Sequence, residues 1–421
     1  MPESVAFWLT LLLFSLTYLG LALGKVPGLR TDRTGIALAG AVAMLACGLV
    51  SFDDAAKKAV DFATIALLLG MMVVVAFLRR AGFFEVLAGW SLGRFRSPPA
   101  MLAATMLLSG ILSALLVNDV VCLALAPLVL HLTRKLRLDP KPHLIGLALA
   151  SNVGSTATLT GNPQNLIIGG LSHISYLRFA ARLAPVAILG LVVAYFVTWL
   201  LFRSCLRAAE TGGGAEGMQD TSPRPLRPAQ FSLLVKSLLV TLMAVGLFFA
   251  GAPMPIVALG AAALLLLGRV KPEGVYRQID WGLLVLFAGL FVVVHAFENH
   301  VLSRAGVENW TALRDHPVGI LSAVSAILSN LVSNVPAVLL FKPIIPAMPP
   351  ETQESAWLAL AMSSTLAGNF TVLGSVANLI VVENARKEGV SISLMEYCRA
   401  GIPVTILTLL LGVAWLALVP Y

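Results

Sequence analysis

Long apolar runs separated by short polar clusters set the pattern of this chain. Val5 to Gly24, Phe62 to Leu78 and Ala187 to Phe202 are free of charged side chains, and each approaches or reaches the roughly 20 residues that carry a helix across a bilayer. Two segments depart from that pattern. Met101 to Leu132 is apolar at both ends and interrupted at Asn118-Asp119, which reads as two helical arms around a tip. His143 to Leu171 is apolar at its ends and rich in Gly, Ser, Thr and Asn in its middle, with Pro163 just beyond. It reads as one crossing broken at its centre. Only helices and closed barrels satisfy every backbone group in lipid, so the pattern predicts an all-α polytopic membrane protein.

Basic clusters orient these spans, because Lys and Arg concentrate on cytoplasmic loops. Lys25, Arg30 and Arg33 put the loop after the first span inside, and hence the N-terminus outside. Gly35 to Val50 exits to the mixed charges of Asp53, Asp54, Lys57 and Lys58, and the third span returns to Arg79, Arg80, Arg94 and Arg96. Met101 to Leu132 then ends at Arg134, Lys135, Arg137 and Lys141, so both of its ends fall inside. A re-entrant hairpin accounts for this. Two full spans with a very short outer turn are the alternative, and charge alone does not separate them. The span from Pro185 to Phe202 returns to Arg203 and Arg207, and Thr211 to Pro228 has linker composition. Met1-Pro2-Glu3-Ser4 lacks a basic n-region, so the first span is expected to be retained rather than cleaved.

The two sides of the linker repeat one another. Asn118 and Asn334 lie 216 residues apart, as do Pro127 and Pro343; Gly161/Gly374 and Asn165/Asn378 are both 213 apart; Asp61/Asp280 and Gly70/Gly289 are both 219 apart. Equivalent stretches in the same order point to an internal duplication. The expected layout is a membrane repeat over 1–207, with its hairpin at 101–132 and broken helix at 143–171, a cytoplasmic linker over 208–230, and a second repeat over 231–421, with its hairpin at 317–348 and broken helix at 356–382. Each half then makes five crossings plus a hairpin. An odd number of crossings makes the repeats inverted, with both termini outside, and inversion lets one midplane site open alternately to either side. In the second half, Arg269, Lys271 and Arg277 fall inside, Pro349 to Ser355 outside, and Arg386 and Lys387 inside.

Composition agrees with a lipid solvent. Of 421 residues 58% are apolar and 12% charged, with mean hydropathy +0.90. The net charge of +8 sits in loop clusters and calls for no nucleic acid. Cys47, Cys122, Cys205 and Cys398 are scattered without CxxC spacing, so neither a disulfide framework nor a metal site is expected. No HExxH, GxSxG or cofactor fingerprint occurs, which argues against an enzyme.

The chemistry concentrates in the interruptions. Each half supplies a tip, Leu116 to Asp119 and Val332 to Pro336, and a broken helix, Ser151 to Asn165 and Ser364 to Asn378. Half-helix N-termini present free N–H groups to an anion, while C-terminal ends and unwound carbonyls suit a cation. The expected substrate-binding set is Asn118, Ser151, Asn152, Thr156, Gly161, Asn162 and Asn165 with Ser333, Asn334, Gly368, Asn369, Thr371, Gly374, Ser375 and Asn378; Gly154 is a further position where the backbone can break. The competing role for such residues is helix packing in lipid. Asp119 is the expected ion-coupling group, since a carboxylate at membrane depth is costly and marks an ion or proton path; its repeat counterpart is Val335. Asp61, Asp280, Glu298, Glu383 and His295 fall near span ends, where interfacial or structural roles are expected.

Leu366 to Val404 and Ser151 to Gly169 resemble the signature segments of the ion transporter superfamily, in particular its arsenite permease and P protein branch. That superfamily also holds NhaD-type sodium/proton antiporters, silicon efflux transporters and divalent anion/sodium symporters. The resemblance covers nearly the whole chain. It implies an elevator motion, commonly a homodimer, a small-molecule or ion substrate, the lipid bilayer as surroundings, and no cofactor other than a sodium ion near Asn118, Ser151, Asn334 and Thr365. In the dicarboxylate symporters both tips carry Ser-Asn-Thr. Here Val117-Asn118-Asp119 and Ser333-Asn334-Val335 keep the asparagines, lose hydroxyls and gain a carboxylate, closer to the arsenite permease side. The expected function is a secondary transporter of a small anion or oxyacid in the cell (inner) membrane, coupled to protons or sodium. A sodium/proton antiporter is the alternative, and a passive channel a more remote one.

Overall fold

The computed structural model describes residues 2–23, 31–92, 97–211, 228–268, 270–304 and 316–419. Lys25, Arg30, Arg94, Arg96, Arg269 and most of the linker lie outside the described residues. No strand occurs among those described. Repeat one contains α1 (Glu3–Leu23), α2 (Arg33–Ala46), the short α3 (Phe52–Asp54), α4 (Phe62–Arg80), α5 (Phe83–Leu92), the hairpin arms α6 (Pro98–Leu115) and α7 (Asn118–Lys135), the broken pair α8 (Pro140–Ser155) and α9 (Pro163–Ser172), and α10 (Tyr176–Thr211). Repeat two runs α11 (Pro228–Phe249), α12 (Met254–Leu266), the short α13 (Glu273–Tyr276), α14 (Trp281–His300), the arms α15 (Pro317–Val332) and α16 (Asn334–Leu340), the broken pair α17 (Pro350–Ala367) and α18 (Val376–Lys387), and α19 (Leu394–Leu418). Seven of the described helices are long and apolar enough to cross a membrane on their own.

Local chemistry fixes many of these starts. Ser97, Asp139 and Asn162 each cap a helix whose first residue is proline, which has the fixed φ the first turn wants and no N–H to lose. Ser393 and Glu396 form a capping box at the start of α19. Asp61 and Asp280 are the N-caps of α4 and α14, with Asp61 Oδ1 accepting from Ala63 N and Thr64 N and Asp280 Oδ1 from Leu283 N at 3.0 Å. Two carboxylates 219 residues apart thus do one structural job twice.

The boundaries differ from expectation in three places. Helix α10 continues to Thr211 and α11 starts at Pro228, so helix enters the linker at both ends. The first hairpin runs over 98–135, and its bend is Leu116-Val117 rather than Asn118, which already opens α7. The second arm of the second hairpin stops at Leu340, because Pro343 has no N–H to donate and its ring crowds the carbonyl one turn back. Pro127, its sequence counterpart, is instead carried inside α7.

The packing is reciprocal between the halves: α4 lies on α12 and α14 lies on α2. Gly70 allows the first crossing and Gly289 the second, since a Cβ at Gly70 would sit 2.6 Å from the Ala258 carbonyl carbon and one at Gly289 would sit 2.9 Å from the Ala37 carbonyl oxygen. Small residues let helix backbones approach closely in this way. Within each half, the first hairpin arm packs along the first piece of its broken helix, α6 on α8 and α15 on α17. Ser113 and Ser151 hydroxyls meet at 3.0 Å in one half, and Ser325 and Ser363 at 2.5 Å in the other. Large apolar side chains on α1, α10, α11 and α19, among them Trp8, Leu12, Leu200, Leu239 and Leu410, are exposed, as expected of surfaces facing lipid.

Candidate functional site

Both broken helices are held open by the same device. Each unwinds after its first piece, makes one 3-10 turn, Leu159–Gly161 or Val372–Gly374, and restarts. Asn165 Nδ2 donates to Ser155 O at 3.1 Å and Thr158 O at 3.0 Å, while Asn378 Nδ2 donates to Gly368 O at 2.7 Å and Thr371 O at 3.1 Å. All of these partners are 213 residues apart in the pair. Carbonyls at a buried helix end need partners, and one asparagine per half supplies two. Gly161 and Gly374 complete the turn by close approach, with a Cβ meeting Ser155 O at 2.1 Å or Gly368 O at 2.8 Å.

A network joins the two breaks across the repeats. Asn152 Oδ1 accepts from Ser375 Oγ and from Asn118 Nδ2, both at 3.0 Å, and Asn152 Nδ2 donates to Asn369 Oδ1 at 2.8 Å and Asn378 Oδ1 at 3.0 Å. In the other direction Thr365, the sequence counterpart of Asn152, accepts from Asn162 Nδ2 at 3.1 Å and faces Asn165 Oδ1 at 3.5 Å. Position 152 therefore touches 375 and 378, and position 365 touches 162 and 165, the reciprocity that a two-fold relation between halves requires. Asn369 Nδ2 also donates to Leu149 O, and Thr156 Oγ1 to Asn152 O.

In front of this network lies a cavity of about 80 Å³ lined by both tips and both restarts: Asn118 and Asp119, Ser333 to Pro336, Pro163 and Gln164, Ser375 and Val376, closed on its far side by Leu21, Arg33, Leu283 and Leu286. The first turns of α7, α9, α16 and α18 thus converge on one space. Neither Val117 nor Ser333 caps the helix that follows it with its side chain, and with Val120 N bonded to Val117 O and Pro336 lacking an N–H, the backbone N–H groups left to a ligand are those of Asn118 and Asp119 in α7 and of Asn334 and Val335 in α16. Asn118 Oδ1 is buried with no partner, an acceptor that costs free energy until a donor reaches it. The Asn334 amide, oriented to satisfy its hydrogen bonds, donates to Ser364 O at 3.1 Å and Gly374 O at 3.2 Å. Tyr18 Oη on α1 donates to Pro336 O at 3.1 Å, tying the second tip to the first helix. A second cavity, of about 70 Å³, shares Asp119 and Leu283 with the first and is otherwise lined by α4 and α7 side chains with Arg79, Gln278 and Asp280. Asp119 faces the Ala377 amide and has Asp280 for a neighbour.

Of the expected residues, Asn118, Asp119, Ser333, Asn334 and Ser375 line the cavity. Asn152, Asn162, Asn165, Asn369 and Asn378 stand behind it, their side chains engaged as described, and Ser151, Thr156, Gly161, Gly368, Thr371 and Gly374 belong to the breaks. The expected sodium set divides: Ser151 Oγ donates to Asn118 O at 3.3 Å, whereas Thr365 sits with Asn162 and Gln164 and Asn334 turns to the second break. Among the described residues no cluster of three or more His, Cys, Asp or Glu occurs. Two polar lining residues, Gln164 and Arg33, stand outside the expected set, with seven apolar ones. Gln164 is legible in the sequence as the residue after Asn162-Pro163, the start of a half-helix, whereas the sequence pattern marks Arg33 only as loop charge.

Comparison with known proteins follows the same lines. The family model for the citrate transporter family, CitMHS, matches residues 18–367. An uncharacterized transporter of Mycobacterium tuberculosis is 31% identical over 92% of this chain and 94% of its own length, and the silicon efflux transporter LSI3 of Oryza sativa subsp. japonica is 30% identical over 92% and 93%. The crystal structure of the YdaH transporter of Alcanivorax borkumensis superposes with a TM-score of 0.59 at 16% identity, covering 99% of this chain and 97% of that one, a likeness of fold alone. The resemblance read from the broken segments thus holds, and the chain is an integral membrane transport protein that belongs to the citrate transporter family.

Proposed function

We propose that this protein is a secondary transporter that moves a small anion or oxyacid by alternating access, binding it in the cavity between the two tips and coupling its movement to protons or sodium through Asp119. The observation that carries this is the convergence of four helix N-termini on one cavity. Their positive ends favour negative charge, and the free Asn118 Oδ1 asks for a hydroxyl or a cation. At roughly 10 to 15 Å³ per water-sized group, about 80 Å³ takes about five to eight non-hydrogen atoms, which suits a small oxyacid such as a silicate or arsenite better than citrate itself.

Contacts between loops support inverted repeats. Arg134 pairs with Glu388, Lys141 with Glu396, and Thr34 Oγ1 bonds Gly282 O; all six residues fall on the side that loop charge makes cytoplasmic. Arg178 pairs with Glu354, Arg304 with Glu3, and His300 with Leu49 O, all on the other. On that assignment α1 and α11 run in opposite directions, the N-terminus is outside, and the tips, which stop beside the helix breaks, are re-entrant. The hairpins, broken helices, α10 and α19 form the group that moves, consistent with an elevator, and α1, α2, α4, α11, α12 and α14 form the scaffold, through which a homodimer would be built. Asn165 and Asn378 hold the breaks open, and Asn118, Asn334, Gln164 and Ser375 meet the cargo. In proteoliposomes, Asn118→Ala and Asn334→Ala should each lower uptake by about tenfold or more, the effect of losing one buried hydrogen-bonding partner; normal uptake by both would remove the cavity from consideration as the cargo site.

A second reading, sodium/proton antiport, draws on Asp119 standing between two cavities. It requires that cation-driven pH change vanish in Asp119→Asn and proceed without any anion, so a counter-ion screen in the same vesicles separates the two.

A further inference from the structure

Arg33 opens α2 and lines the tip cavity together with Asn118, Asp119 and Asn334. It is half-buried, and among the described residues its guanidinium has no ion-pair or hydrogen-bond partner. The adjacent carboxylate, Asp32, caps the helix by accepting from Gly35 N at 2.9 Å, and Asp119 makes no ion pair with it. The neighbouring Thr34 is fixed to Gly282 O at 3.2 Å, so Arg33 is held at the cavity rather than free to swing into a loop. A guanidinium withdrawn from water without a counter-charge is costly, and an anion that enters removes that cost. Guanidinium also matches the planar, two-oxygen geometry of carboxylates and oxyanions.

The other half offers no equivalent. Helix α12, the counterpart of α2, starts at Met254 after Pro253, and its first side chain packs with Met254 Cε beside Gly169. Among the described residues, the start of α12 therefore places no cation where the start of α2 places Arg33. We infer that Arg33 is the anion-recognising residue of the cargo site, supplied by the scaffold in this conformation alone, so that the cargo carries net negative charge here and is held more tightly at this face than at the opposite one. With Asn118 Oδ1 as a free acceptor, the cargo class is an anion that keeps an O–H donor, such as a hydroxycarboxylate or a hydrogen oxyanion.

This rests on the cavity being the cargo site, and the experiment separates the two claims. The wild-type chain, Arg33→Gln, Arg33→Lys and Asn118→Ala are purified in detergent, and stabilisation against heat is titrated with glycolate, with phosphate and with uncharged orthosilicic acid. Loss of a charge-assisted contact should weaken binding of the anions by Arg33→Gln by about tenfold or more, with Arg33→Lys recovering part of it and high salt weakening the wild type towards the Gln variant. The unliganded midpoint of Arg33→Gln should match or exceed that of the wild type, because an unpaired half-buried charge has been removed; a fall would mark Arg33 as structural and overturn the proposal. Equal anion affinity in wild type and Arg33→Gln, a wild type stabilised by orthosilicic acid and by neither anion, or no stabilisation of the wild type by any probe would overturn it as well. If Asn118→Ala keeps the full response to every probe that the wild type binds, the cavity itself is misassigned; if it loses that response while Arg33→Gln keeps it, only the role of Arg33 fails.

Discussion

The two hairpin tips occupy equivalent places and do different chemistry. Asn118 and Asn334 both open the second arm of their hairpin, both are buried, and both line the same cavity. Around them the halves diverge. The first tip has Asp119 next in sequence, an extended backbone at Val117 with φ −61° and ψ 123°, and an acceptor oxygen left free. The second has Val335 in place of the carboxylate, Ser333 at φ 79° and ψ 158°, and an asparagine whose amide is spent on its own break. The helix ends have the same placement in both halves. The charge and the open hydrogen-bonding capacity belong to the first half, so the two-fold site is symmetric in geometry and one-sided in chemistry.

The largest effect should come from breaking that one-sidedness at Asp119. Asp119→Asn keeps the shape and hydrogen bonding of the tip and removes the charge, and concentrative uptake under an imposed proton or sodium gradient should fall by about a hundredfold, the equivalent of a charge-assisted contact of about 3 kcal/mol. Moving the carboxylate across, as Asp119→Val with Val335→Asp, should not restore it, because the second cavity with Arg79, Gln278 and Asp280 adjoins the first tip. Full gradient-driven uptake by either protein would show that coupling lies elsewhere.

Next in size is a change on which the halves should agree. Asn165→Ala and Asn378→Ala each strip two carbonyls of their donors, and at about 1 to 3 kcal/mol for each unsatisfied group each should lower stability by about 2 to 6 kcal/mol. Thermal midpoints in detergent measure this directly. If one variant is neutral while the other unfolds, the equivalence of the two breaks is geometric only.

Much of this is legible in the sequence. The apolar runs mark the long helices because lipid demands length and composition together, and Asn118/Asn334, Gly161/Gly374 and Asn165/Asn378 mark equivalent places in the two halves because a break that is made twice keeps its glycine and its amide donor. Sequence could not say which asparagines face the cargo and which face carbonyls, since both tasks call for a neutral donor in a loop without a helical partner. Nor could arm length identify a re-entrant hairpin: α6 has 18 residues, about 27 Å of helix, as long as a span, and it is the contact of Asn118 with Asn152 at the break that argues for a tip at mid-depth. Arg33 was hidden for a different reason. Its position beside Lys25 and Arg30 explained it fully as a cytoplasmic loop charge, and only the approach of α2 to both tips sets it apart.

The smallest effect tests the backbone difference between the tips. Ser333 holds a conformation confined almost entirely to glycine, at a cost of about 1 to 3 kcal/mol, whereas Val117 is unstrained. Glycine relieves the first, whereas at the second it adds unfolded-state freedom, at about 0.5 to 1 kcal/mol, and also removes a buried side chain. Ser333→Gly should therefore raise stability by about 1 kcal/mol, a rise of about 1 to 4 °C, and Val117→Gly should lower it by more than that, because a buried side chain is lost as well. The opposite signs are the informative part, because a change in packing or in detergent affinity would move both tips the same way. A loss of stability in Ser333→Gly would mean that the serine hydroxyl, which lines the cavity, contributes more to holding the second tip closed than its backbone strain costs. In that case the second half would not be the passive partner its missing carboxylate suggests.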